Sequence, residues 1–126
     1  MEKKRFYEMM CILDPTLDTA GVEKELSRVK DIIVKGGGEV VEEKVWGKRE
    51  LAYEINHRTQ GIYVMVYFKA PGIVPPLLVP HFRLEPKVMR YIVLQLTENQ
   101  FNQSRGMLSS SVAEEEETAS SDVKED

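Results

Sequence analysis

Cysteine, histidine and tryptophan are scarce in this 126-residue chain, which holds one Cys, two His and one Trp. The single cysteine, Cys11, excludes an internal disulfide bond and any zinc site built from several cysteines. Its neighbours Met10 and Ile12 are apolar, so we expect Cys11 to be a small buried residue and not a nucleophile. His57 and His81 have no cysteine or acidic partner at the spacing of metal ligands. The sequence therefore predicts neither a bound metal nor a cofactor.

Sequence motifs for catalysis are also missing. The chain has no nucleophile elbow, no P-loop and no H-E-x-x-H segment. Glycines 36–38 follow a predicted helix, whereas glycines that hold a phosphate precede the helix whose N–H groups bind it. Glu42 and Glu43 are adjacent on a predicted strand, so their carboxylates point to opposite faces and do not form an acid–base pair. We predict that the protein is not an enzyme.

Long hydrophobic runs are absent as well. No apolar run approaches the roughly 18–20 residues that a membrane-spanning helix needs, which predicts a soluble protein with no membrane partner. The start of the chain, Met1 to Arg5, is mostly charged and lacks the apolar stretch of a targeting segment. We expect the protein to act in the compartment where it is made. A bacterial cytosol and an organelle that makes its own proteins both stay open, and the lack of a presequence favours the bacterial cytosol.

Charge divides the chain into two unequal parts. Residues 1–100 carry 15 Lys+Arg and 14 Asp+Glu, a net charge of +1, whereas residues 101–126 carry 2 and 7, a net charge of −5. The second part holds runs of Ser and Glu and too little apolar surface to offset the entropy of ordering. We predict one domain at 1–100 and an acidic, disordered tail at 101–126. The Glu run is either a solvated end or a mimic of phosphate that contacts basic proteins.

Four segments have the hydrophobic pattern of β-strands: residues 6–13, 39–55, 62–68 and 88–96. The second strand is long and alternating, and Gly47 interrupts it as a β-bulge would. The third is continuously apolar, which is typical of a central strand. A polar loop at residues 56–61 joins the second and third strands into a hairpin.

Two further segments have helical patterns. The first helix is indicated by an apolar stripe at Val22, Leu26, Val29 and Ile33. Asp18 or Thr19 can cap its start, and Gly36 can close its end in the left-handed conformation. The second helix is expected at about Pro76–Leu84, and it should be short or kinked because Pro80 removes a hydrogen bond in its interior.

The order of these elements is strand, helix, strand, strand, helix, strand. It closes most simply as an α+β fold of the ferredoxin-like, split β-α-β type, with a four-stranded antiparallel sheet and two helices on one face. The first and third strands would be central, and both carry apolar side chains on both faces. Nothing in the sequence is expected to cover the face opposite the helices. Since large exposed apolar patches usually mark interaction sites, we expect function to lie there.

Basic residues cluster at four places, two of them beside aromatic residues. They are Lys44, Lys48 and Arg49 on the second strand, Arg58 with Gln60 in the hairpin loop, Arg83, Lys87 and Arg90 beside Tyr91 around the last turn, and Lys3, Lys4 and Arg5 beside Phe6 and Tyr7 at the first strand. Arginine and lysine contact phosphates, and aromatic rings stack on unpaired bases, so this pattern fits RNA binding. A solvated charged surface is the alternative. A net charge of +1 attracts RNA weakly, which favours binding beside a partner protein.

Several segments match a known family. Tyr7-Glu8 opens the first strand, Asp14-Pro15 closes it, and the long strand reads W-G-K-R-E-L-A-Y-E-I over residues 46–55. Gln60-Gly61-Ile62-Tyr63 begins the third strand, and Val88-Met89-Arg90-Tyr91 begins the last. Over residues 5–97 the chain resembles bacterial small-subunit ribosomal protein six. The resemblance implies the split β-α-β fold, a non-catalytic structural role in the small ribosomal subunit, and a cytoplasmic location on the ribosome.

The resemblance also implies partners and site residues. It implies binding to the central domain of 16S ribosomal RNA together with ribosomal protein eighteen, with no small-molecule substrate. By motif, it assigns RNA or partner contact to Lys48, Arg49, Arg90 and Tyr91, with Arg5, Tyr7, Arg58, Arg83 and Lys87 as further candidates. The apolar, proline-containing segment Ile73–Pro80 departs from the family pattern, so contacts from the second helix stay open.

A competing hypothesis places a small-molecule sensor or an acyl-phosphate-type enzyme on the same fold, because fold does not fix function. Such an enzyme needs backbone N–H groups and an arginine in the loop after the first strand. The loop Asp14-Pro15-Thr16-Leu17 offers an acid and a proline instead. The sequence therefore favours the ribosomal role.

Overall fold

The computed structural model describes residues 3–55 and 57–110, with side chains described as far as residue 105. The elements are β1 (Arg5–Leu13), α1 (Thr19–Lys35), β2 (Glu39–Ile55), β3 (Arg58–Ala70), α2 (Val74–Leu84), β4 (Val88–Leu96) and α3 (Glu98–Ser110). The first six confirm the predicted order of strands and helices. The seventh, α3, was not expected from the sequence pattern.

The four strands form one antiparallel sheet in the order β2-β3-β1-β4. This confirms the predicted α+β, ferredoxin-like fold with the first and third strands in the centre. Helices α1 and α2 pack on one face of the sheet, which we call the helix face. Its core contains Met9, Cys11 and Leu13 of β1, Val64, Val66 and Phe68 of β3, Val22, Val29 and Ile33 of α1, and Val74, Leu78 and Phe82 of α2.

The ends of α1 are set by polar capping and by glycine. Asp18 is the N-cap, and its Oδ1 accepts a hydrogen bond from the N–H of Gly21 at 2.8 Å, which decides between the two predicted caps. At the other end, the left-handed residue is Gly37, with φ of +95°, and not Gly36, with φ of −83°. A Cβ on Gly36 would lie 2.8 Å from Cγ2 of Val74, so this glycine serves close packing of α1 against α2.

The second helix is longer than the sequence predicted. It runs from Val74 to Leu84 and holds Pro80 in its interior, where the missing N–H and the ring clash cost about 3 kcal/mol. Val74, Leu78 and Phe82 are buried at four-residue spacing against the sheet. Burial of three such side chains contributes roughly 1.5–3 kcal/mol each, which exceeds the cost of the proline.

The opposite side of the sheet, which we call the reverse face, has its own apolar cluster. It contains Met10 and Ile12 of β1, Trp46 of β2, Tyr63, Met65 and Tyr67 of β3, Ile92 of β4 and Phe101 of α3. Phe101 is 1% exposed, and its ring centroid lies 5.1 Å from that of Phe6 and 5.8 Å from that of Tyr67. The expectation that nothing covers this face is therefore wrong, because α3 packs onto part of it.

A capping box explains why α3 begins where it does. The N–H of Thr97 donates to Oε1 of Gln100 at 2.9 Å, and the N–H of Gln100 donates to the Thr97 hydroxyl at 3.1 Å. The predicted boundary between a domain at 1–100 and a tail at 101–126 falls inside this helix. The predicted disorder of residues 111–126 lies outside the described residues.

Candidate nucleic-acid interface

A β-bulge in β2, between Val45 and Gly47, decides which way Lys48 and Arg49 point. Val45 pairs with Val64 and Gly47 with Tyr63, so Trp46 is an extra residue at a bulge where Gly47 takes φ of +83°. This confirms the bulge expected at that glycine. Lys48 then pairs with Ile62, whose side chain lies in the helix-face core.

Because neighbouring side chains alternate, the predicted pair Lys48 and Arg49 is divided between the two faces. Lys48 is exposed on the helix side, whereas Arg49, opposite Gly61, lies half-buried on the reverse side.

The predicted pair on β4 is divided in the same way. Arg90 pairs with Ile12 of the reverse-face cluster, and its guanidinium carbon lies 6.0 Å from the centre of the Tyr53 ring. Tyr91 points to the helix face, where its ring stacks on Phe82 with 4.9 Å between centroids. Of the four leading candidates, the structure therefore brings Arg49 and Arg90 to the same face.

The reverse face has two halves along its strands. The hairpin half contains Ile12, Trp46, Arg49, Tyr53, Tyr63 and Arg90, and the α3 half contains Phe6, Glu8, Glu42, Tyr67, Phe101 and Arg105. The hairpin half carries two arginines and no acid within this set. The α3 half carries two acids and one arginine. Lys44, opposite Met65, adds a further cation between them on the same face.

Aromatic rings line the hairpin half. Trp46 is 7% exposed and stacks on Tyr63, with 6.0 Å between ring centroids and 16° between planes. Its indole N–H has no hydrogen-bond acceptor among the described residues. Tyr53 is 41% exposed and lies under the Arg90 guanidinium. An arginine over an accessible ring is an arrangement that can stack on unpaired bases and bind phosphate together.

The tip of the hairpin is held near the end of β1 by Asp14. Its carboxylate accepts hydrogen bonds from the hydroxyl and the N–H of Thr16, and Arg58 lies 3.5 Å away. The Thr16 hydrogen bonds lower the pKa of Asp14 below its ordinary value, and the charges of Arg58 and Lys87 lower it further. Arg58 itself lies in β3, opposite Ile55, and not in the predicted loop.

The remaining candidates are scattered. Tyr7 is 4% exposed and stacks on Phe68 in the helix-face core, so its ring is not available to a ligand. Arg5 is exposed at the far end of β1, with its guanidinium beside Gly72. Arg83 and Lys87 are exposed at the two sides of the turn between α2 and β4.

Two residues of this surface were missed as site residues: Trp46 and Tyr53. Tyr53 shares strand parity with Arg49, a signal that was present in the sequence. Trp46 gave no such signal. It shares the reverse face with Arg49 and Tyr53 but not their strand parity, because the bulge at Gly47 lies between them.

The described residues offer no metal site and no membrane-spanning helix. No group of three His, Cys, Asp or Glu among them is placed to hold a metal ion, and no helix among them is long and apolar enough to cross a membrane. Cys11 is 1% exposed, which confirms it as a buried residue, and burial raises the pKa of its thiol, with the Glu25 carboxylate adding to the effect. His81 pairs with Glu25 between the two helices, Nε2 to Oε2 at 2.6 Å.

The chain is similar to ribosomal proteins. A sequence model described as Ribosomal protein S6 matches residues 6–95. Small ribosomal subunit protein bS6 of Clostridium acetobutylicum is 40% identical over 90 residues, or 71% of this chain and 95% of that protein. The bS6 of Synechocystis sp. is 38% identical over 91 residues, or 72% and 80%. The crystal structure of 30S ribosomal protein S6 from Thermotoga maritima aligns with a TM-score of 0.73 at 27% identity, covering 83% of this chain and 99% of that one. By sequence and by fold, this chain belongs to the ribosomal protein S6 family.

Proposed function

We propose that this protein binds the central domain of 16S ribosomal RNA together with ribosomal protein eighteen, and that the hairpin half of the reverse face makes the contact. Family membership makes the chain a structural protein of the small ribosomal subunit, in the cytoplasm, and not an enzyme. Family membership alone does not establish which RNA segment is bound, which protein is the partner or which residues make the contact, and these are the parts that we propose.

One observation carries the proposal: Arg49 and Arg90 share a face with the exposed ring of Tyr53. These arginines come from the two edge strands of the sheet, β2 and β4. Contacts from two strands fix the orientation of a ligand as well as its affinity. Phosphate contacts of this kind position a protein on RNA, and the ring offers a surface for a base.

The apolar surroundings support a second, protein partner. Leu51, Ile55 and Met89 are only partly buried beside the reverse-face cluster. Phosphates and sugars do not cover such side chains well, whereas an apolar patch on another protein does. The domain of residues 1–100 has a net charge of only +1, so RNA affinity gained jointly with a partner is physically reasonable.

The experiment compares two adjacent charge reversals in the full-length chain. Arg49→Glu removes a cation from the reverse face, and Lys48→Glu makes the same charge change on the opposite face. Affinity for a central-domain RNA fragment is measured at several salt concentrations in the presence of ribosomal protein eighteen. We expect Arg49→Glu to weaken binding roughly tenfold or more and to reduce the salt slope by about one, and Lys48→Glu to do neither.

Arg90→Glu should behave like Arg49→Glu, since it lies on the same half. Far-UV circular dichroism and thermal unfolding show whether each variant keeps the wild-type fold. Equal losses for Lys48→Glu and Arg49→Glu would contradict the assignment of RNA binding to the reverse face.

A further inference from the structure

A cleft borders the outer edge of β4, and we call it the edge cleft. It is lined by Phe82, Arg83, Val88, Met89, Arg90 and Tyr91. Its volume is about 610 Å³, within the range of about 300–1,000 Å³ that is typical of small-molecule sites. Arg90 is the one residue that it shares with the hairpin half, so the cleft opens at the rim of the proposed RNA-binding surface.

The backbone of β4 gives this cleft hydrogen-bonding groups. Among the described strands only β1 pairs with β4, so the N–H and C=O groups on the outer side of β4 have no strand partner. Ile12 pairs with Arg90 but Leu13 pairs with Val88, which leaves Met89 as an extra residue at a bulge inside the cleft. Neighbouring backbone donors and acceptors can pair with the Watson–Crick edge of a base that has no partner.

The charge of the cleft favours a phosphate-bearing ligand. Arg83 is exposed and Arg90 is half-buried, and none of the described lining residues is acidic. The carboxylate of Glu85, the nearest acid along the chain, is held by Arg28 at 2.9 Å. An extended peptide could pair with the strand edge, but it brings no phosphate to match the Arg83 guanidinium.

The stacked rings complete the site. Phe82 and Tyr91 stack with 26° between their planes, which fixes the tyrosine ring at one wall of the cleft. Base–aromatic stacking tolerates any base, because every base has a π-face. The wall therefore suits nucleotides without demanding a sequence.

We propose that the edge cleft binds one unpaired nucleotide of RNA, its phosphate held by Arg83 and its base placed against Tyr91 and the free edge of β4. This inference rests on the proposed function, since the ribosomal RNA is taken as the source of the nucleotide. Such a cleft would prefer unpaired nucleotides to duplex RNA, a preference that a flat basic surface does not have.

The first test titrates full-length, ¹⁵N-labelled protein with the single-stranded ribotetranucleotide AAAA and, separately, with a short RNA duplex. Amide signals of Val88–Tyr91 should shift with AAAA, and the duplex should bind at least about tenfold more weakly. Arg83→Glu should weaken AAAA binding at least about tenfold, whereas Lys35→Glu, an equal charge change on an exposed residue at the far end of α1, should change it less than about twofold. Equal binding of the duplex, or no effect of Arg83→Glu, would overturn the proposal.

The second test maps RNA backbone flexibility by chemical probing in the complex with the central-domain RNA and ribosomal protein eighteen. With Arg83→Glu, an unpaired nucleotide protected by the wild type should become reactive while paired regions stay protected. If affinity for ribosomal protein eighteen falls and no RNA protection changes, the cleft contacts protein and the inference is wrong. Arg49→Glu separates the two proposals, since it should weaken joint RNA binding roughly tenfold or more but leave the AAAA titration unchanged.

Discussion

The two halves of the reverse face are built on the same four strands, yet they satisfy their polar groups in different ways. In the α3 half, the Tyr67 hydroxyl donates to Glu8 at 2.9 Å, and Arg105 pairs with Glu42 at 3.3 Å. In the hairpin half, Arg90 lies over an exposed tyrosine ring. These contacts indicate that the α3 half contributes stability, whereas binding is the role that we propose for the hairpin half.

Among the predicted variants, Phe101→Ala should cause the largest loss of unfolding free energy, and it should do so without weakening RNA binding by the hairpin half. Phe101 is 1% exposed between Phe6 and Tyr67, and truncation of a buried aromatic ring costs about 3–5 kcal/mol of unfolding free energy. Urea denaturation measures the loss, with Leu84→Ala as the control, since Leu84 is 83% exposed. At a temperature where the variant stays folded, RNA affinity should be unchanged. A stability loss below 1 kcal/mol would show that α3 does not hold the fold.

Gly61→Ala should affect both stability and binding, because it disturbs the hairpin half. A Cβ on Gly61 would collide with Cγ2 of Ile12 and touch Leu51. Overpacking of this kind costs about 1–3 kcal/mol, and the shift of the hairpin should also weaken RNA binding. Gly72→Ala is the matched control, since its Cβ would meet only the flexible end of Arg5. Wild-type stability of Gly61→Ala would contradict the close packing of the hairpin against β1.

A smaller effect, with a defined pH dependence, is expected from Asp14→Asn. The folded protein holds the pKa of Asp14 below its ordinary value, so the charged carboxylate stabilises the fold at neutral pH. We expect the variant to be about 1 kcal/mol less stable at pH 7. The difference should persist down to the ordinary pKa of an aspartate and disappear as the pH falls below about 4, where the carboxylate of the native protein takes up its proton.

Urea denaturation at a series of pH values measures this difference. Asp18→Asn is a useful comparison, because asparagine also caps helices and should preserve α1. A gap between wild type and Asp14→Asn that grows on acidification would contradict the assigned direction of the pKa shift.

The smallest effect is expected from Glu42→Gln. Its ion pair with Arg105 joins β2 to α3, but both side chains are about 30% exposed. Such pairs contribute about 0.2–1 kcal/mol, so the melting temperature should fall only slightly, and less at high salt. A large loss would show that this pair, and not Phe101, holds α3 in place.

The sequence predicted most of the fold, because periodicity reports burial directly. The stripe of α1 reports its one buried side, and the continuous apolar run of β3 reports burial on both faces. The predicted limits of β2 and β4 coincide with those observed. The pattern failed at α3, which has no apolar stripe to detect and whose buried residue, among the side chains that the structure describes, is Phe101. The capping box Thr97-Glu98-Asn99-Gln100 was the available signal.

The candidate site was less predictable than the fold. Motif resemblance selected Arg49 and Arg90 for RNA or partner contact, and the structure places both on the reverse face. It also selected Tyr7, which is a core residue. A one-residue bulge reverses every side chain beyond it, so Lys48 and Arg49 could be assigned to faces only once the register was known. The Tyr53–Arg90 contact joins the tip of the β2–β3 hairpin to β4, the opposite edge strand. A pattern of neighbouring residues in the sequence cannot predict a contact between two strands so far apart in the chain.

Amide hydrogen exchange, measured by mass spectrometry with and without the central-domain RNA and ribosomal protein eighteen, compares the two halves in one experiment. We expect slower exchange at Lys44–Tyr53 and around Arg90 on complex formation, and unchanged exchange in Glu98–Arg105. Protection confined to α3, with the hairpin exchanging as in the free protein, would contradict the assignment of RNA binding to the hairpin half.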